Sequence, residues 1–423
     1  MMRPRLRFST LFALGVAGLA VVLLAAAVLL GRDTEPAGKT VITVRLWDQQ
    51  VAAAYEKSFA AFMTQNPDVD VRVNVVAYAT YFDTLRTDVA GNSADDIFWI
   101  SNAYYSGYAD SGRLLPIAAS ADWEPSVVDQ FTRDGTLWGV PQLTDAGIAV
   151  YYNADLLARA GVDPAILGDL RWGGQNDTLR PLLKKLTERN QWAYNAANDL
   201  QGIYLNYIGS AGGTFSEGDR FTFDNPQAAM AFDYLVTLIN TDRVAPPASA
   251  TNDNGDFSRN QFLAGKMALF QSGTYNLANI ATQAKFRWGV AMLPTGPAGR
   301  VSVTNGIAAA GNSASRHPDT VRRVLSWLGS TEGNGYVGAE GSAIPAVVPA
   351  QQVYRDYWRH KNVDVSPFFD VLDGPRIDAP GGTGFAAGFE AIKPYFAEMF
   401  LGRLPVDEAL RQAQDAANTA AQR

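Results

Sequence analysis

Val41-Ile42-Thr43-Val44-Arg45-Leu46-Trp47, Val69-Asp70-Val71-Arg72-Val73-Asn74-Val75 and Asp96-Ile97-Phe98-Trp99-Ile100 are three β-rich runs within about sixty residues. The second run alternates valine with polar residues, the period of a strand with one wet face. Between the first two runs, Val51, Tyr55, Phe59, Phe62 and Met63 fall on one face of a helix that Asn66-Pro67-Asp68 stops. A second helix carries Phe82, Leu85 and Val89 and ends near Gly91. Strand, helix, strand, helix, strand in this order predicts a parallel sheet with right-handed crossovers and an α/β fold. Such sheets bind ligands beyond the carboxyl ends of their strands. Those ends are Trp47-Asp48, Tyr78 and Ser101-Asn102, followed by Tyr104 and Tyr105.

Downstream the texture becomes more helical. Val150-Tyr151-Tyr152 reads as a strand. Asp224-Asn225-Pro226 opens a helix through Met230, Tyr234, Leu235 and Leu238, with a cap followed by proline in the first turn. Gln261 to Ala264 reads as helix and Met267 to Phe270 as a buried strand. Val301 to Ala310 is strand-like around Asn305-Gly306. His317-Pro318-Asp319 opens another helix, and Val406 to Ala421 is an alanine-rich amphipathic one.

The chain has 423 residues, 47% hydrophobic and 18% charged, a globular balance whose length favours two or three domains. A net charge of −7 and the lack of a Lys/Arg-dense stretch argue against nucleic-acid binding. With no cysteine, disulfides, thiolate metal sites, thiol nucleophiles and a lipidated cysteine are excluded. At the N-terminus, Arg3, Arg5 and Arg7 precede an apolar run from Leu11 to Leu30. That length spans a bilayer, and the flanking arginines predict an inside N-terminus with the body outside. Residues 1–39 therefore read as a membrane anchor plus linker, or as a cleaved signal peptide.

The order of further segments is informative. Asp95-Asp96-Ile97-Phe98-Trp99 precedes Tyr108-Ala109-Asp110-Ser111-Gly112-Arg113-Leu114-Leu115-Pro116. Trp138-Gly139-Val140-Pro141 leads to Val150-Tyr151-Tyr152-Asn153. Phe262-Leu263-Ala264-Gly265-Lys266-Met267-Ala268-Leu269 precedes Ser272-Gly273, and Val406-Asp407-Glu408-Ala409-Leu410 lies in the tail. In this collinear set, which covers nearly the whole chain after residue 40, the protein resembles the bacterial extracellular solute-binding proteins of family 1. This is the maltose-binding-like group that serves carbohydrate ABC importers. Each motif alone is weak; the ordered set is specific. The resemblance implies a two-lobed periplasmic-binding-protein fold with a hinge and an interlobe cleft. It divides the chain into lobe 1 (40–144 and 297–346) and lobe 2 (145–296 and 347–423). It also implies capture of a mono- or oligosaccharide, amino sugars and sugar phosphodiesters included, by a monomer that delivers it to membrane permease subunits. Members are often lipoproteins. This chain departs from that pattern, and a protein anchor through Leu11–Leu30 would serve the same end.

A sugar presents apolar faces and a rim of hydroxyls, so rings, carboxylates and amides at strand ends are the candidates. Trp47 and Asp48 pair a ring with an acceptor, or are a buried ring and a helix cap. Asn102 and Tyr104 follow the third strand. Gln142 and Asp145 lie near the first expected crossing, where Asp145 is alternatively a turn acid. Trp192 and Tyr194 offer stacking surface in the second lobe, or core. By the resemblance, the loop with Ser272, Gly273 and Tyr275 lines the cleft, and Asn305, Gly306 and Ser342 lie beside it. Arg376 could fork onto a carboxylate, a phosphate or sugar hydroxyls, or pair with a neighbouring acid.

No catalytic or metal motif stands out, and no cofactor is expected. Only His317 and His360 exist, both in polar sequence. Gly333-Asn334-Gly335-Tyr336-Val337-Gly338 matches a dinucleotide fingerprint but follows a helix instead of a strand. The competing readings are a membrane-anchored carbohydrate-processing enzyme, which needs two facing carboxylates, and an extracytoplasmic solute sensor.

Overall fold

The computed structural model describes residues 38–144 and 147–422. The N-terminal apolar run, with the anchor expected there, lies outside the described residues, as does Asp145.

The three opening runs form strands Thr40–Leu46, Val69–Val75 and Ile97–Ser101, and the helices between them are Gln49–Gln65 and Tyr78–Ala90. The strands pair in parallel, from Thr40 opposite Val69 to Leu46 opposite Val75, with Val44 opposite Ile97. Two later strands complete a five-stranded sheet. Gly306–Gly311 runs antiparallel beside Ile97–Ser101, and Val140–Thr144 runs antiparallel beside Gly306–Gly311. Ile42, Val44 and Leu46 alternate into the core and are fully buried. Each such side chain contributes about 1.5–3 kcal/mol by leaving water. Ile97–Ser101 is buried at all five positions, as a strand covered on both faces must be.

The polar tips of Trp99, Tyr55 and Gln142 inside this lobe are partnered. The Trp99 indole N–H donates to the Tyr55 hydroxyl at 3.1 Å, and that hydroxyl donates to Gln142 Oε1. Gln142 Nε2 donates to the carbonyls of Val140, Pro141 and Leu328. Helix Thr331–Ala339 contains the glycines of the dinucleotide-like motif. They serve packing: a Cβ on Gly333 would sit 2.0 Å from the Trp327 carbonyl oxygen.

The second lobe is built on an antiparallel sheet in the order Leu269–Ser272, Ala149–Asn153, Trp288–Ala291. Alternate residues serve two cores. Val150 and Leu269 join a large core with Phe232, Phe396 and Leu410, while Ala149, Tyr151 and Phe270 join a smaller one with Phe262, Tyr354 and Phe368. Helices Phe385–Phe400 and Val406–Ala421 pack against each other. The second buries Ala409, Ala413 and Ala417, whose small side chains allow close approach.

Ser302–Thr304 pairs in parallel with Arg376–Asp378, and Val303 is in the second-lobe core. Val347 and Ala350 belong to the first-lobe core.

Candidate ligand cleft

Because the first three strands are parallel, their carboxyl ends meet at one edge of the first sheet. Rings gather there. Trp47, half-buried, is edge-on to Tyr81 at 4.8 Å and Trp99 at 4.9 Å, and lies 5.5 Å from Phe82 and 5.7 Å from Tyr78. Tyr104 stacks on Phe82 with centroids 4.0 Å apart and planes within 16°. Tyr81 is fixed from below, its hydroxyl donating to the Trp99 carbonyl at 2.9 Å. Tyr78 is 63% exposed. The edge therefore carries an aromatic wall whose inner rings are anchored in the core and whose outer ring is open.

The wall faces the second lobe. Desolvation pushes the Tyr104 hydroxyl up to about 12, and the nearby Tyr78, Glu390 and Asp83 add to the shift. Glu390 is on the second-lobe helix Phe385–Phe400. Tyr104 stays neutral at physiological pH and can both donate and accept.

Asp48 caps Gln49–Gln65, its Oδ1 accepting from the N–H groups of Gln50 at 2.8 Å and Val51 at 3.0 Å. The Ser342 hydroxyl donates to the Gln50 carbonyl at 3.4 Å, which brings the 340s loop to the same helix start. Asn102 reaches the second lobe directly, its Nδ2 donating to the Ala379 carbonyl at 2.8 Å. Asn102 and the exposed Arg376 line one cavity of about 700 Å³, with Thr214, Asp219 and Gly381 on its other walls.

On the second lobe, the strand Leu269–Ser272 runs into the expected loop. Ser272 is buried and accepts from Asn276 Nδ2 at 2.8 Å, while the Gly273 carbonyl accepts from the Tyr151 hydroxyl at 2.8 Å. The Tyr275 ring folds over Gly273, where a Cβ would lie 2.3 Å from a ring carbon. Tyr275 is 44% exposed. Asn305 Oδ1 accepts from the N–H of Gly306 at 2.9 Å, and Gly306 is packed so tightly on Val127 that a Cβ would sit 2.6 Å away.

Two expected site residues, Gln142 and Tyr194, are fully buried, and Trp192 is half-buried. Gln142 is fully buried with its amide held inside the first lobe, as described above. Tyr194 is also fully buried, donating to Gln271 Oε1 and accepting from the Tyr207 hydroxyl at 3.0 Å. Trp192 is half-buried against the smaller core, and its N–H and carbonyl bond to Lys266 and Ala268. Gln142 and Tyr194 hold the scaffold from inside the two lobes.

Asp199 is a carboxylate that pattern reading passed over. Asn195 and the Gln271 backbone exchange bonds at 2.9 and 2.7 Å, and Gln271 Nε2 donates to the Gly202 carbonyl at 2.7 Å. These bonds tie the loop bearing Asp199 to the strand end before Ser272. Asp199 opens the π-turn Leu200–Tyr204, accepting from the Gly202 N–H at 2.9 Å. It keeps solvent-accessible surface, yet surrounding protein desolvates the carboxyl and pushes it up, against the pull of the Gly202 and Gln201 N–H bonds. Its sequence signal was an acid before a helical run, Asn198-Asp199-Leu200-Gln201, which reads equally as a plain cap.

The sequence profile of the family described as bacterial extracellular solute-binding protein matches residues 47–335. The chain belongs to that family. A crystal structure of UspC from M. tuberculosis is 69% identical in sequence, with a TM-score of 0.77, covering 90% of this chain and 100% of that one. The GacH receptor of Streptomyces glaucescens, solved unliganded and with acarbose, shares the two-lobed fold at 22% identity and a TM-score of 0.77, over 91% and 100% of the two chains. A putative binding protein of Brucella abortus is 23% identical over 418 residues, 94% of this chain and 95% of that protein. Membership implies an extracytoplasmic location and, in general, a solute ligand and ABC permease partners. The family and these neighbours are binding proteins rather than enzymes.

Asp199 yields a stability signature. Its folded-state pKa is raised, so the ionised carboxylate destabilises the fold at pH 7, and this effect disappears as pH falls below the unfolded carboxylate value. Asp199→Asn keeps a capping side chain and should raise Tm at pH 7, with the gain over wild type shrinking as pH is lowered towards 3.5. Thermal unfolding across that range checks this; a Tm at pH 7 equal to or below wild type contradicts it.

Proposed function

We propose that this chain is the carbohydrate-capturing component of an ABC importer, binding a mono- or oligosaccharide between its lobes without chemical turnover. The observation that carries the reading is the anchored wall of Trp47, Phe82, Tyr104 and the open Tyr78, set opposite the second-lobe helix with Glu390. Ring faces suit the apolar C–H faces of a sugar, and the neighbouring acceptors suit its hydroxyls. Asp48, Asn102, Asp199, Ser272, Tyr275, Asn305 and Ser342 are the polar groups assigned to it, with Arg376 at the rim for an acidic or phosphorylated substituent. The Lactose-binding protein of Rhizobium radiobacter, 26% identical over 243 residues and 56% of its own length, supports the sugar class.

Thermal-shift screening of neutral saccharides, amino sugars and sugar phosphodiesters should find a ligand that raises Tm. At a hundredfold excess over Kd the stabilisation is about 2.7 kcal/mol. Tyr78→Ala should weaken that ligand roughly tenfold, the order of one lost ring contact, with little change in the Tm of the free protein because Tyr78 is exposed. Shifts from peptides or polyamines but from no carbohydrate would reject the reading.

We further infer that Leu11–Leu30 stays on the exported chain and holds it at the membrane. Alkaline carbonate washing of membranes should leave the full-length chain in the pellet. Release of a shorter chain lacking that run contradicts the anchor.

A further inference from the structure

The segment after Arg376–Asp378 leaves the second lobe and touches the first at two places. Asn102 Nδ2 donates to the Ala379 carbonyl at 2.8 Å, and Gly381 is pressed so close to Asn102 that a Cβ would sit 2.8 Å from the amide nitrogen. Further along, the Thr383 hydroxyl donates to Asp110 Oδ2 at 3.2 Å and accepts from Arg133 Nη2 at 3.2 Å. Arg133 also forks onto the Asp110 carboxylate, Nε to Oδ1 at 2.6 Å and Nη2 to Oδ2 at 2.9 Å. Asp110 ends the first-lobe helix Tyr105–Asp110, and Arg133 is on the first-lobe strand Thr132–Arg133.

The other side of the segment is fixed within the second lobe. The Thr383 N–H donates to Asp219 Oδ1 at 3.2 Å, and Asp219 lies in the turn between strands Ser216–Glu217 and Arg220–Phe221. Gly382 has φ +111°, and a Cβ there would be 2.2 Å from Asp219 Oδ1. Only glycine combines that backbone with that approach. Thr383 is therefore held by one lobe and bonded by the other.

We propose that the Asp110–Arg133 pair, acting through Thr383, clamps the lobes together and sets how far the cleft opens before a solute enters. Arg133 is here a positioning residue. The Asp110–Arg133 ion pair is internal to the first lobe and survives opening; the bonds to Thr383 break. The clamp is polar and partly exposed, with 29% of the Arg133 side chain and 39% of Asp110 accessible. The bonds that break on opening are to a neutral hydroxyl, so salt screening changes the clamp little.

Electron–electron spin resonance between labels on Arg86→Cys and Lys393→Cys tests this. Both positions are exposed, on the helices Tyr78–Ala90 and Phe385–Phe400, and the chain has no native cysteine to interfere. No ligand is added. The otherwise wild-type protein should give a short-distance population. Arg133→Ala should lack it, and Arg133→Lys should regain it in part. Thr383→Val removes only the interlobe hydroxyl from a surface loop and leaves the Asp110–Arg133 pair intact, so it should also lose the short-distance population with unchanged circular dichroism. Distance distributions in Arg133→Ala and Thr383→Val that match wild type would overturn the proposal, whatever sugar the cleft takes.

Discussion

Seven consecutive parallel pairings, from Thr40 opposite Val69 to Leu46 opposite Val75, oblige two strands to end together, and pairing of Val44 with Ile97 brings a third to the same edge. The cleft follows from this register. A parallel strand must return through a crossover helix, so its carboxyl end leads into a loop at the sheet edge, and three such loops meet here. Trp47, Tyr78 and Asn102 are the first residues beyond those ends or close to them. The antiparallel strand Gly306–Gly311 starts at that edge, arriving from the second lobe. One sheet edge thus holds both the proposed recognition surface and the start of the strand Gly306–Gly311.

The ring wall is rigid because its inner members are core residues. Trp47 touches Tyr81 and Trp99, and Trp99 is bonded through Tyr55 to Gln142. Removing a partner from such a buried chain leaves a polar atom unsatisfied, at about 1–3 kcal/mol. On the other lobe, Tyr194, Gln271 and Asn195 do the same for the loop that carries Asp199. These two bonded chains fix the groups above them, which would limit reorganisation on binding a solute.

Much of the first lobe and some of the second were legible. The alternation at Val69–Val75, the proline stop at Asn66-Pro67 and the Asn225-Pro226 start all became the elements they signalled. The helix Phe385–Phe400 was not read, because Gly388 and Pro394 interrupt its pattern; tertiary packing of Ile392, Phe396 and Met399 carries it instead. Of the expected site, Trp47, Tyr104 and Asn102 lie beyond the ends of the first-lobe strands and Tyr275 follows Leu269–Ser272, while their contact with a solute is the proposal made above. The burial of Gln142 and Tyr194 was not legible, since a tyrosine or glutamine that satisfies a buried partner has the same sequence neighbourhood as one that faces solvent. Phe82 was read as a helix-face residue, and only the structure reveals Tyr104 stacked upon it. The contact of Asp110 and Arg133 with Thr383 joins residues about 250 positions apart, beyond any local pattern.

Native mass spectrometry of the protein with a saccharide library addresses the central claim, capture without turnover, most directly. The account predicts one chain carrying one sugar, released on gentle activation with its mass unchanged after prolonged incubation. A sugar returned shortened or hydrated, or the absence of any saccharide adduct, would contradict it.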